Sequence, residues 1–132
     1  MHQGSCLCGA VRYEVEGEIK RITHCHCSMC RKAHGAAFGS YGTVLRANFR
    51  FTQGEDSVAA YHSSPSVTRT FCRHCGSTLQ WYSDTADPEW TGFTLGTLDT
   101  ALDQPEQKHI FTGSKASWYN LNDGLPQSEN GN

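Results

Sequence analysis

Apolar and polar residues alternate over short stretches of this chain. Val11, Tyr13 and Val15 interleave with Arg12, Glu14 and Glu16 ahead of Gly17, the two-residue period of a half-buried strand running into a turn. Similar runs predict strands over residues 19–24, 49–52, 58–62, 67–71, 78–82, 93–98 and 109–112. Helical signals are few. Ser28 is placed to cap a short helix that Gly35 ends, and Ser114 to cap a turn reaching Trp118. No segment reads as a long central strand. The pattern therefore predicts a mainly β fold of several small coiled antiparallel sheets with one or two helical turns. A single domain is expected over residues 1–125, followed by a polar, flexible tail over 126–132.

The chain has 132 residues, of which 37% are hydrophobic and seven are cysteine. Eleven Lys and Arg against thirteen Asp and Glu give a formal charge of −2. This argues against nucleic acid as a partner, because that binding needs clustered positive charge. No apolar run is long enough to cross a membrane. The start, Met1-His2-Gln3-Gly4-Ser5-Cys6, lacks the basic and apolar regions of a signal peptide, so a cytoplasmic location is expected. Structural disulfides are rare there, and an odd number of cysteines would strand one thiol. So thin a core needs staples, and the cysteines point to metal.

They fall in three groups: Cys6-Leu7-Cys8, Cys25-His26-Cys27-Ser28-Met29-Cys30 and Cys72-Arg73-His74-Cys75. In extended chain, residues i and i+2 face the same way, so Cys6 and Cys8 can offer two sulfurs to one ion, as can Cys25 and Cys27. Cys72 and Cys75 before Gly76 have zinc-knuckle spacing. A tidy division is four and three. Cys6, Cys8, Cys72 and Cys75 would close a structural zinc site, and Cys25, Cys27 and Cys30 would hold a second zinc with one position open, as catalytic zinc requires. A pairing of the middle group with Cys72 and Cys75 stays open on spacing alone.

His24 and His26 flank Cys25 and should point away from the sulfur-bearing face, so a supporting role suits them better than ligation. Arg31 and Lys32 adjoin Cys30. They read either as a solvated helical turn or as a recognition pair for a carboxylate-bearing ligand. Trp81, Trp90, Trp118 and Tyr119 are expected to fill the core.

The stretches Gly4-Ser5-Cys6-Leu7-Cys8-Gly9-Ala10-Val11-Arg12-Tyr13, His24-Cys25-His26-Cys27-Ser28-Met29-Cys30-Arg31-Lys32 and Phe71-Cys72-Arg73-His74-Cys75-Gly76-Ser77-Thr78-Leu79 resemble the three signatures of the glutathione-dependent formaldehyde-activating enzyme family. Its domain is shared with centromere protein V. Gly96-Thr97-Leu98-Asp99, Pro105, His109-Ile110-Phe111 and Trp118 follow the same pattern. The resemblance implies a fold similar to the zinc-binding Rab exchange factor and two zinc ions per chain, divided four and three as above.

The function it implies is that of a zinc-dependent carbon–sulfur lyase, an S-(hydroxymethyl)glutathione synthase. Cys25, Cys27 and Cys30 would form the catalytic site, glutathione or a related thiol would be the co-substrate, and formaldehyde or a related aldehyde its partner. Arg31 and Lys32 would meet the carboxylates of glutathione. The rival reading is a zinc-stabilised binding module, or a glutathione carrier without catalysis, whose second cluster takes a fourth protein ligand such as His26.

Overall fold

The structure, a computed structural model, describes residues 1–103 and 106–131. Pro105, and Asn132 at the end of the expected tail, lie outside the described residues. Among the described residues, ten strands form two sheets. The smaller is antiparallel and holds β1 (His2–Ser5), β2 (Arg12–Val15) and β5 (Phe49–Gln53), in the order β1-β2-β5. The larger has seven strands: β3 (Lys20–Cys25), β4 (Gly39–Leu45), β6 (Val58–Ser64), β7 (Val67–Cys72), β8 (Thr78–Ser83), β9 (Trp90–Thr94) and β10 (Gln107–Ile110). Their order is β10-β3-β4-β9-β8-β7-β6, and only the β10–β3 pair is parallel.

A seven-stranded sheet beside one small three-stranded sheet thus takes the place of the several small, mainly antiparallel sheets expected. The reason lies in β4, which gave no strand signal because Gly39 and Gly42 interrupt it. Both glycines are close-approach positions. A Cβ on Gly42 would sit 2.8 Å from Ile19 Cγ2, and one on Gly39 2.6 Å from the His34 ring. The run expected over 93–98 instead starts at Trp90 and ends at Thr94, where Leu95–Thr97 turns as a 3-10 helix. The strand expected over 109–112 is β10 followed by a 3-10 turn at Thr112–Ser114; a further turn, in which the Tyr119 N–H donates to Ala116 O at 3.3 Å, follows Ser114 and includes Trp118.

The alternation in β2 buries Tyr13 and Val15, which join Val44, Phe49 and Phe93 in a core drawn from both sheets. Tyr13 stacks on Phe49 with ring centroids 4.8 Å apart and donates or accepts a 2.6 Å hydrogen bond with Thr97 Oγ1. The helix α1 (Ser28–His34) begins one residue earlier than expected. Cys27 is its cap, its Sγ accepting the Cys30 N–H at 3.3 Å, while Gly35 ends it in the left-handed region at φ 59°.

The expectation for the aromatic residues is corrected. Trp118 is 70% exposed and Tyr119 37%, so neither fills the core; Trp81 and Trp90 are half-buried. Much of the segment expected to be a flexible tail is hydrogen-bonded to β10 and the residues after it: Ser128 N–H to His109 O at 2.9 Å and Phe111 N–H to Asn130 O at 2.8 Å. No helix among the described residues is long and apolar enough to cross a membrane.

Candidate metal centres and the cavity at one of them

The turn after β1 carries Cys6 and Cys8, and the β7–β8 hairpin carries Cys72 and Cys75. The four sulfurs come within 4.8 Å of one another. Zinc–sulfur bonds of about 2.3 Å in a tetrahedron require sulfur–sulfur separations of about 3.8 Å. Cys6 and Cys8 are 3.6 Å apart and Cys8 and Cys72 3.8 Å, so this donor set fits zinc. Backbone N–H groups support two of the sulfurs, Val11 to Cys6 at 3.3 Å and His74 to Cys72 at 3.4 Å. The Ser77 hydroxyl and backbone draw the Cys75 thiol down to about 5.

The second cluster brings Cys25, at the end of β3, to Cys27 and Cys30 at the start of α1, again within 4.8 Å. Cys25 and Cys27 sulfurs lie 3.4 Å apart, short enough for a shared ion. Hydrogen bonding from Cys25, then Cys30, holds the Cys27 thiol far below its ordinary value, and the same bond raises Cys25. The thiol of Cys27 is thus pushed down while those of Cys25 and Cys30 are pushed up, an imbalance that a divalent cation would even out. The structure therefore separates the cysteines four and three, and the middle group does not join Cys72 and Cys75.

The histidines lie on the opposite side of β3 from the sulfurs. His24 binds Ser40 and Gln107 at 2.8 Å each. His26 is fully buried; its Nε2 meets His109 Nδ1 at 2.8 Å, and His109 Nε2 meets Asp123 at 2.8 Å. Burial, then the charges of His109 and His24, lowers His26 to about 4, so it is neutral. It does not belong to the sulfur cluster. This Asp123–His109–His26 chain ties the C-terminal segment to the backbone between the two cysteines.

Cys25, Cys27 and Cys30 form part of the wall of a cavity of about 550 Å³, within the usual size of a small-molecule site. A cross-strand row explains its shape: Thr43, Gly92, Trp81 and Arg69 are register partners along β4, β9, β8 and β7, and all four line it. Arg69 is 7% exposed. It donates from Nε to Ser63 at 3.2 Å and from Nη2 to Cys30 Sγ at 3.7 Å, while Nη1 has no acceptor. Burial opposes its charge, but the Cys30 sulfur outweighs this and its pKa is raised.

Arg31 and Lys32 are not on this wall. Arg31 is half-buried on α1 with an unpartnered Nε, and Lys32 is exposed. The guanidiniums that line the cavity are Arg69 and Arg21. Sequence reading missed both. For Arg69 a signal existed: it shares the two-residue period of Val67 and Phe71, where a charged residue demands a partner.

Comparisons with known proteins point to one family. The profile of the glutathione-dependent formaldehyde-activating enzyme family matches residues 1–114. A Halomonas elongata protein provisionally named as such an enzyme is 32% identical over 129 residues, covering 90% of this chain and 80% of its own. An uncharacterized lyase of Schizosaccharomyces pombe is 28% identical over 88 residues, 66% of this chain and 62% of its own length. A crystal structure of a Rhodobacter sphaeroides protein superposes with a TM-score of 0.65 at 26% identity, covering 76% of this chain and 90% of that one. With all seven cysteines inside the matched segment, the chain belongs to the glutathione-dependent formaldehyde-activating enzyme family.

Proposed function

We propose that this protein is a zinc-dependent carbon–sulfur lyase that joins glutathione, or a related thiol, to formaldehyde or a related aldehyde. The observation that carries this reading is that Cys25, Cys27 and Cys30 line a cavity of substrate size, whereas none of Cys6, Cys8, Cys72 and Cys75 does. In this reading the four-cysteine cluster holds a structural zinc and the three-cysteine cluster a catalytic one. Zinc bound by three cysteines has a position for an exogenous thiol and lowers its pKa.

The thiol sulfur forms a bond to the carbonyl carbon, the carbonyl π bond breaks, and the oxygen takes up a proton to give the S-hydroxymethyl adduct. The chain supplies position and charge. Cys25, Cys27 and Cys30 together with a bound thiol would leave excess negative charge around a divalent cation, which the buried Arg69 guanidinium beside Cys30 would offset. Trp81, Trp90 and Ile110 give the wall an apolar surface that limits water around the reacting pair. Reduced glutathione is a cytoplasmic thiol, so the reading carries a cytoplasmic location with it.

Cobalt-substituted protein tests the reading. Addition of glutathione should change the intensity and position of the thiolate-to-cobalt bands, and elemental analysis should find two metal ions per chain. Unchanged bands would leave the second cluster without an open position and favour the binding-module reading. A catalyst, as distinct from a carrier, should also consume formaldehyde faster than glutathione does alone.

A further inference from the structure

Among the described residues, three that are not glycine have left-handed backbone: Arg21 at φ 37°, Asp87 at φ 52° and Phe111 at φ 55°. They come from three unconnected places, an irregularity in β3 between Lys20 and Thr23, the β8–β9 loop, and the residue after β10. All three line the cavity at Cys25, Cys27 and Cys30. Backbone strain at scattered sites is ordinary, but strain gathered from three segments onto one cavity suggests side chains held for a ligand.

Charge supplies the second observation. Among the described residues, and apart from the cysteine sulfurs, the only charged side chains on the wall are Arg21, Arg69 and Asp87, two cations and one anion. Arg21 lies over the Trp90 ring at 5.7 Å, which restrains its long side chain. Arg69 has an Nη1 with no acceptor. Much of the remaining wall is apolar and cannot satisfy a charged ligand. The set is the complement of a molecule with two carboxylates and one ammonium.

Resting on the thiol-binding reading of this cavity, we propose that Arg21, Arg69 and Asp87 are its specificity-determining residues. They select a zwitterionic dicarboxylate thiol, a γ-glutamyl peptide, over simple alkyl thiols. The guanidiniums receive the carboxylates, Arg through its two-pronged donor geometry, and Asp87 receives the ammonium.

The test uses the metal-loaded protein and three thiols: glutathione, N-acetylglutathione and 2-mercaptoethanol. Asn tolerates left-handed backbone, so Arg21→Asn and Asp87→Asn keep the fold while removing each charge. Both variants should bind glutathione about two- to fivefold more weakly by calorimetry, as expected for exposed charge-assisted contacts. Neither should change 2-mercaptoethanol binding, and Asp87→Asn should leave N-acetylglutathione unaffected because that ligand lacks the ammonium. Wild-type affinity for glutathione in both variants would overturn the assignment. If 2-mercaptoethanol still perturbs the cobalt bands in that case, only the recognition set fails; if no thiol perturbs them in the wild type, the thiol site itself is lost, and this proposal with it.

Discussion

The Sγ of Cys27 belongs to the three-sulfur cluster and also caps α1 through the Cys30 N–H. Serine is a preferred helix cap, so Cys27→Ser keeps the helix start while removing a metal ligand. The variant should stay folded with about one zinc fewer per chain. Cys72 differs in kind. It is fully buried among Cys6, Val11 and Leu79, and structural zinc contributes roughly 10 kcal/mol or more in small zinc peptides, comparable to the whole stability of a domain. Cys72→Ser should therefore be insoluble or lack a cooperative thermal transition. Circular dichroism melts beside elemental analysis check the pair. Two variants unfolded to the same degree would contradict the division of roles between the clusters.

Elements in this protein are held together by close backbone approaches as much as by apolar area. β1 packs against β2 at Gly4, where any Cβ would overlap the Tyr13 ring. Tyr13 has nowhere to go, stacked on Phe49 and bonded to Thr97. Gly4→Ala should cost about 1–3 kcal/mol by overpacking, a fall in Tm of roughly 4–12 °C at a few degrees per kcal/mol for this size. Gly96 has open space around its Cβ position and is the control. Gly96→Ala should melt within a degree or two of the wild type, and an equal fall in both would remove the steric explanation.

For the whole molecule, the four-cysteine cluster joins the turn of the three-stranded sheet to the β7–β8 hairpin of the seven-stranded one. The three-cysteine cluster lies within the larger sheet and its adjoining helix. Metal loss at the two places should therefore have different consequences. A strong chelator should remove zinc in two phases, the first from the three-ligand site with the far-ultraviolet spectrum intact. The second should coincide with unfolding, because binding energy at the four-ligand site is folding energy. Release in a single phase, with unfolding throughout, would show that the clusters are not separate.

The grouping of the cysteines was legible because ligand spacing is local. Residues i and i+2 share a face of any strand, and Cys72 and Cys75 share any tight turn, wherever those segments end up. The alternation of β2, most strand positions and the helix end at Gly35 were legible for the same reason. What lies between distant segments was not. β4 was hidden by glycines whose purpose is a neighbour in space, His34 or Ile19. The His26–His109 contact spans 83 residues, and the cavity row of Thr43, Gly92, Trp81 and Arg69 draws on four strands. The expected pairing of Arg31 and Lys32 with a ligand followed from adjacency to Cys30 along the chain. The structure puts Arg21 and Arg69 on the cavity instead, because strand register and not sequence neighbourhood decides which side chains share a wall. The sequence by itself determined the candidate ligands and the strand-forming stretches. Tertiary structure alone decided which sulfurs meet, and which charges face the space beside them, since both depend on pairings that the burial of a common core selects.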